Sequence, residues 1–102
     1  MSLSTHVLDA ARGRPARGVP VRLDRREGDV WERVAEARTD EDGRVRDLPP
    51  PGKGAYRLVF DTTGLSDFYP EVAVAFTVTD PGEHYHVPLL LSPYAYSTYR
   101  GS

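Results

Sequence analysis

Apolar and polar residues alternate with a period of two along most of this chain, a pattern that suits half-buried strands and not helices. Val19, Val21 and Leu23 alternate with Pro20, Arg22 and Asp24, and Tyr56, Leu58 and Phe60 with Arg57, Val59 and Asp61. The pattern returns in Val72, Val74, Phe76 and Val78 against Glu71, Ala73, Ala75 and Thr77. It returns again in Tyr85, Val87, Leu89 and Leu91 against His84, His86, Pro88 and Leu90. Successive side chains of an extended strand point to opposite faces, so each run predicts one face in a core and one outside it.

Trp31 to Thr39 contains residues that suit a helix, among them Glu32, Arg33, Glu36 and Ala37. Its short span and the following Asp40-Glu41-Asp42-Gly43, a sequence with turn mechanics, favour a strand and hairpin instead. Further breaks fall at Arg12 to Arg17, Pro49-Pro50-Pro51-Gly52, Thr63-Gly64, Asp80-Pro81-Gly82 and Ser92-Pro93. Turn signals thus recur about every ten residues, the spacing of an all-β sandwich or barrel. No internal repeat, low-complexity tract or linker interrupts the pattern, and 102 residues suit a single domain spanning 1–102.

Thirteen basic and fifteen acidic residues are well mixed and leave a formal charge of -2. A nucleic-acid footprint calls for a basic patch and a high pI, so nucleic acid is not the expected partner. Cysteine is absent, which removes disulfides and thiolate chemistry and makes the fold depend on its core or on oligomerisation. A reducing, cytoplasmic setting fits that composition. Met1 to His6 lacks the charged start and apolar middle of a signal peptide, and no apolar run approaches the roughly 20 residues of a membrane span, so a soluble protein is expected.

All three histidines fall in expected strands, and imidazole is the side chain that most readily exchanges a proton near neutral pH. Alternation places His6 with Ser4, opposite Leu3, Thr5 and Val7, and places His84 and His86 opposite Tyr85, Val87, Leu89 and Leu91. They therefore point away from the core, where the ordinary reading of a histidine is a solvated surface residue. Two histidines two apart on one strand face, with His6 as a third, also match the donor set of a three-histidine zinc site. No acidic or cysteine ligand is arranged with them on that strand face. Arg44 follows the Asp40 to Gly43 turn, and it and Arg100 have the ordinary reading of exposed arginines. Phosphate-binding glycine loops, a nucleophile elbow and an H-E-x-x-H helix are missing. The last four residues, Tyr99-Arg100-Gly101-Ser102, directly follow a tyrosine-rich, strand-like stretch, so they are expected in ordered structure with Arg100 held in place.

Ser4-Thr5-His6-Val7-Leu8-Asp9, Thr39-Asp40-Glu41-Asp42-Gly43-Arg44, Phe68-Tyr69-Pro70-Glu71-Val72, and His84-Tyr85-His86-Val87-Pro88-Leu89-Leu90-Leu91-Ser92-Pro93, closing on Tyr99-Arg100-Gly101-Ser102, together resemble the 5-hydroxyisourate hydrolase family. These are transthyretin-like enzymes of urate breakdown, and the resemblance runs nearly end to end. It implies a Greek-key β-sandwich of two four-stranded antiparallel sheets. It also implies a homotetramer, a dimer of dimers whose central channel holds the active sites. His6, Arg44 and His86 would be catalytic, with Tyr99, Arg100, Gly101 and Ser102 lining the pocket and binding substrate.

The implied reaction is hydrolytic opening of a lactam bond of 5-hydroxyisourate, without metal or organic cofactor. His6 would act as general base with Arg44 orienting the substrate. His86 would bind substrate, position water or protonate the leaving nitrogen, while Arg100 and Ser102 would clamp the ring's polar edge. Two departures from the family pattern stand out: only Thr62 to Asp67 remain where a short helix and loop are usual, and Ala95 replaces a frequent glycine. The helix is therefore expected to be absent or reduced to a turn. Two other readings remain: a transthyretin-like carrier binding a small aromatic ligand without turnover, and a plain structural sandwich whose His and Arg residues are unrelated in space.

Overall fold

Each alternating run forms a strand, and the ten strands follow one another without a helix among the described residues. The computed structural model describes residues 2–48 and 52–102. In order they are β1 (Ser2–Asp9), β2 (Arg14–Pro15), β3 (Pro20–Glu27), β4 (Val30–Arg38), β5 (Arg44–Leu48), β6 (Gly54–Asp61), β7 (Glu71–Val78), β8 (His84–His86), β9 (Leu89–Ser92) and β10 (Ala95–Thr98). The expected break at Pro49-Pro50-Pro51 lies outside the described residues. Trp31 to Thr39 does supply a strand, which pairs with β3 across the Gly28 turn.

One sheet has the order β4-β3-β6-β7 and is antiparallel throughout. The other is built around β1, which pairs antiparallel with β5 and β2 on one side and parallel with β8 and β9 on the other, with β10 at the edge. β8 and β9 are halves of one strand, interrupted at Val87-Pro88 because proline has no N–H for the ladder. Counted that way, and with the two-residue β2 set aside, each sheet has four principal strands, as the resemblance implies. The parallel pairing departs from the expectation of purely antiparallel sheets. It arises because the chain reaches β8 by crossing over from β7 in the opposite sheet, and not through a hairpin from β1.

The inward faces of both sheets meet in one apolar cluster that includes Leu3, Val7, Leu23, Leu58, Phe60, Val72 and Leu89. Its buried polar atoms are satisfied: Thr5 Oγ1 donates to the Val87 carbonyl at 2.6 Å, and Thr39 Oγ1 donates to Ala16 O at 2.7 Å. Thr62 to Asp67 forms a turn closed by the amides of Leu65 and Ser66 on Thr62 O, so the family's short helix is absent here.

Two irregularities change what alternation predicts. Between Leu23 and Asp24 the β3–β4 register shifts, and Asp24, expected at the surface, is only 2% exposed. Arg22 and Arg57 cover it, donating at 2.9 and 2.8 Å. Burial opposes ionisation of Asp24, but the two guanidinium hydrogen bonds outweigh it and hold the carboxyl below its usual range. A second shift, in β1–β5 between Leu3 and Thr5, lets Val45 and Leu48 both face the core, three residues apart, while Arg46 and Asp47 are left outside.

Candidate functional site

Alternation in β1 places Ser2, Ser4 and His6 on the face turned away from the core. Strand pairing then brings other polar groups beside them. Across the antiparallel β1–β5 pair, His6 stands opposite Arg44; across the parallel β1–β8 pair, Ser2 stands opposite His84 and Ser4 opposite His86. Three strands far apart in sequence thus contribute imidazoles, a guanidinium and hydroxyls to one sheet face.

The Asp40 to Gly43 turn fixes the His6–Arg44 pair. Asp40 Oδ1 accepts the amides of Asp42 and Arg44 at 2.8 and 3.0 Å, and these hydrogen bonds lower its pKa. Gly43 has a positive φ of 75° and its carbonyl accepts the Val7 amide at 2.7 Å, which packs the turn onto β1. The turn also reaches His6 directly, since the Asp42 carbonyl lies 2.8 Å from Nε2. A carbonyl can only accept, so Nε2 carries a hydrogen and Nδ1 is the nitrogen left for other chemistry.

Arg44 forms no ion pair among the described residues, whereas neighbouring Arg46 lies 3.7 Å from Asp40 and 3.4 Å from Asp42. An unpaired guanidinium beside imidazoles is suited to an incoming anion or a developing oxyanion. His86 is half-buried. Burial first, then the charges of Arg44, His6 and His84, hold its pKa below the ordinary imidazole range, which favours the neutral ring.

The tail closes the site from one side. The Gly101 amide donates to His86 O at 2.7 Å, and the two residues form an antiparallel bridge. A cleft of about 280 Å³ results, lined by Ser4, Arg44, Arg46, His84, His86 and Ser102 among others. His6 borders this group through its pairing with Arg44 but is not part of the cleft wall. Arg100 turns away: it meets Glu83 at 2.6 Å and lies 4.4 Å over the Tyr85 ring. Tyr99 lines, with Arg100, a separate groove beside Val74 and Phe76. Arg100 is therefore held by Glu83, and of the four tail residues only Ser102 lines the cleft, with Gly101 bridged to His86 beside it.

Ser4 and Arg46 escape selection from sequence, and His84 is selected there only as a candidate zinc ligand. Ser4 and His84 share the outward faces of His6 and His86, a signal present in the alternation itself. Arg46 is brought to the cleft by the β5 irregularity, which nothing in the sequence marks. His6, His84 and His86 share a face without converging as ligands, and no cluster of three or more His, Asp or Glu among the described residues is placed to hold a metal ion. A larger hollow of about 1060 Å³ lies on the outer face of the other sheet, but its walls, which include Arg22, Glu36, Arg38, Asp61 and Glu71, hold no imidazole.

Residues 3–101 match the model of the HIUase/Transthyretin family. The 5-hydroxyisourate hydrolase of Caulobacter vibrioides is 49% identical over 115 residues, covering 98% of this chain and 97% of that protein. That of Mus musculus is 46% identical, covering 98% and 94%. Among solved structures, Klebsiella pneumoniae 5-hydroxyisourate hydrolase superposes with a TM-score of 0.83 at 36% identity over 100% of both chains. Sea bream transthyretin in complex with thyroxine superposes with a TM-score of 0.88 at 31% identity over 99% of this chain and 95% of that one. Matched along almost its whole length by the family model and by relatives well above 40% identity, this chain belongs to the HIUase/Transthyretin family.

Proposed function

We propose that this protein hydrolyses 5-hydroxyisourate, opening a lactam carbon–nitrogen bond to give 2-oxo-4-hydroxy-4-carboxy-5-ureidoimidazoline. The observation that carries the reading is the polar face itself, where His6 stands opposite Arg44, which has no ion pair among the described residues, and burial and neighbouring charge favour the neutral ring of His86 one strand away. The sandwich alone does not separate enzyme from carrier, since both kinds of relative superpose well on it. An apolar ligand would have little use for two imidazoles and a free guanidinium; a hydrolysis needs them.

Lactam opening requires a base for water, stabilisation of the oxyanion and an acid for the leaving nitrogen. His6 takes the proton of the attacking water at Nδ1, its Nε2–H being committed to Asp42 O. The oxygen adds to the lactam carbonyl carbon, and the developing negative charge faces Arg44. As the carbon–nitrogen bond breaks, its electron pair goes to nitrogen, which receives the Nε2 proton of His86. Ser102 offers polar contacts to the substrate edge. Arg100 acts from behind, anchoring the tail to Glu83 and Tyr85, while Tyr99 lines the separate groove beside it. No step calls on a metal or an organic cofactor. In a cytoplasmic homotetramer of the transthyretin kind this face would line a channel between subunits, where exclusion of water strengthens these charge interactions.

Urate treated with urate oxidase, followed by this protein, tests the reading. Catalytic amounts should speed the ultraviolet decay of the intermediate well beyond its spontaneous rate. Binding that saturates at one ligand per site without turnover would establish the carrier instead.

A further inference from the structure

Hydroxyl and imidazole groups alternate across the β1–β8 pair. Ser2 Oγ contacts His84 Nδ1, Ser4 Oγ lies 3.2 Å from His84 Nε2, and the same Ser4 oxygen lies 2.7 Å from His86 Nδ1. The two rings are nearly parallel, 14° apart, with centroids separated by 6.4 Å. Parallel pairing without a register shift produces this order, because Ser2 faces His84 and Ser4 faces His86 two residues further on. The chain of contacts begins at Ser2, passes through exposed His84 and ends at half-buried His86 in the cleft.

The geometry points to a proton relay in which Ser4 is a positioning residue joining His84 to His86. A serine hydroxyl has one hydrogen to give and lone pairs to accept with, and a neutral imidazole has one donor and one acceptor nitrogen. In the loaded state the Ser2 hydroxyl donates to His84 Nδ1, His84 Nε2–H donates to Ser4 Oγ, and the Ser4 hydroxyl donates to His86 Nδ1. His86 Nε2 then carries the hydrogen and has no partner among the described residues. When that hydrogen passes to the leaving nitrogen, the Ser4 proton moves to His86 Nδ1. The His84 Nε2 proton moves to Ser4 Oγ, and the Ser2 proton moves to His84 Nδ1. Solvent restores Ser2, and the proton that His6 took from water returns to solvent. After product leaves, a solvent proton enters at His86 Nε2 and the hops run in reverse, releasing one proton from Ser2 and restoring the loaded tautomers, so the count closes. Every junction keeps one donor and one acceptor before and after.

The relay solves a chemical difficulty. Burial and the charges of Arg44 on β5, His6 on β1 and His84 on β8 disfavour a cationic His86, so it is poorly placed to be an imidazolium acid. A neutral imidazole giving up its only hydrogen would become an anion. Refilling Nδ1 as Nε2 empties converts one neutral tautomer into the other and avoids both ions.

Only the kinetic arm of the test rests on the hydrolase reading. Ser4→Ala and His84→Gln should each lower kcat on 5-hydroxyisourate about tenfold to a hundredfold, part of the range of general acid–base catalysis. KM should change less than about twofold, since the relay supports chemistry and not binding. Ser4→Thr, which keeps the hydroxyl, should retain most of kcat. Nitrogen NMR of the imidazoles reads the relay without turnover: Ser4→Ala should shift the tautomer balance of His86, and Ser4→Thr should restore it. Unchanged His86 nitrogen shifts in Ser4→Ala, or wild-type kcat in both Ser4→Ala and His84→Gln, overturns the relay. A wild-type protein inactive on 5-hydroxyisourate would defeat the hydrolase reading, while the NMR would still decide the relay.

Discussion

Gly101 packs against the ring of His86 so closely that a Cβ at position 101 would come within 2.5 Å of His86 Cδ2 and 3.2 Å of Cγ. The backbone there needs no positive φ, so the constraint is space alone. Only glycine lets the tail bridge to β8 while the imidazole keeps its place over Ser4. Gly101→Ala should therefore displace the ring or the tail, at little cost to the rest of the fold. We expect a melting temperature within a few degrees of wild type and kcat/KM for 5-hydroxyisourate reduced about tenfold or more, in line with the sensitivity of catalysis to displacements of about 1 Å. Full activity in this variant would remove the tail from the working site.

His6→Ala and Arg44→Ala should fold and melt like wild type, because both side chains lie on the face turned from the core. Their turnover should drop by about 10²- to 10⁴-fold, the usual worth of a positioned base or an oxyanion partner. The coupled ultraviolet assay with circular dichroism on the same samples checks both halves. Near-wild-type rates in either variant would reject its assignment.

Gly43→Ala makes the opposite demand. Position 43 combines φ of 75° with a Cβ that would sit 2.5 Å from the Val7 carbonyl and 3.0 Å from Pro15 Cβ. Backbone cannot retreat as a flexible side chain can. We expect a loss of about 1–3 kcal/mol in urea denaturation, the usual scale of a strained backbone position. Activity should fall as well, because the turn carries both the Asp42 carbonyl on His6 and the start of β5. A variant as stable as wild type would show that the turn has room to adjust.

The lowered pKa of His86 gives stability a direction with pH. Below the ordinary imidazole value of 6.5, the unfolded chain takes up a proton at this residue that the folded chain resists. Stability should thus decline as pH falls below that value, and His86→Gln should flatten the decline. Removing the charge at position 44 takes away one of the causes that lower the pKa. NMR titration should accordingly place the His86 midpoint below 6.5 in the wild type and higher in Arg44→Gln. A midpoint unmoved by that substitution would mean the guanidinium does not act on the ring.

Strand identity and facing were legible because period-two alternation is local. Leu3, Thr5 and Val7 inward with Ser4 and His6 outward follows from spacing alone, and so does the outward face of His86. The turn that replaces the family's short helix could be read from the few residues left between Asp61 and Phe68. What escaped depends on pairing. Asp24 and Arg46 sit at or next to register shifts, which an alternation count cannot detect. Ser4 and His84 acquire meaning only once β1 and β8 lie side by side. Arg100, expected at the substrate, faces Glu83 instead, because that carboxylate and the Tyr85 ring offer it partners on the other side of the tail.

The missing amide at Pro88 divides one continuous strand into two parts with different duties. Leu89 and Leu91 on the far part are locked into the apolar interior, while His84 and His86 on the near part face the cleft. The Thr5 and Thr98 hydroxyls secure the carbonyls of Val87 and Pro88, so the seam is clamped even though the ladder is cut. Substitutions among the imidazole-bearing residues can consequently retune the chemistry without pulling the leucine-bearing residues out of alignment, and one short stretch of chain can evolve its reactivity and keep its stability separately.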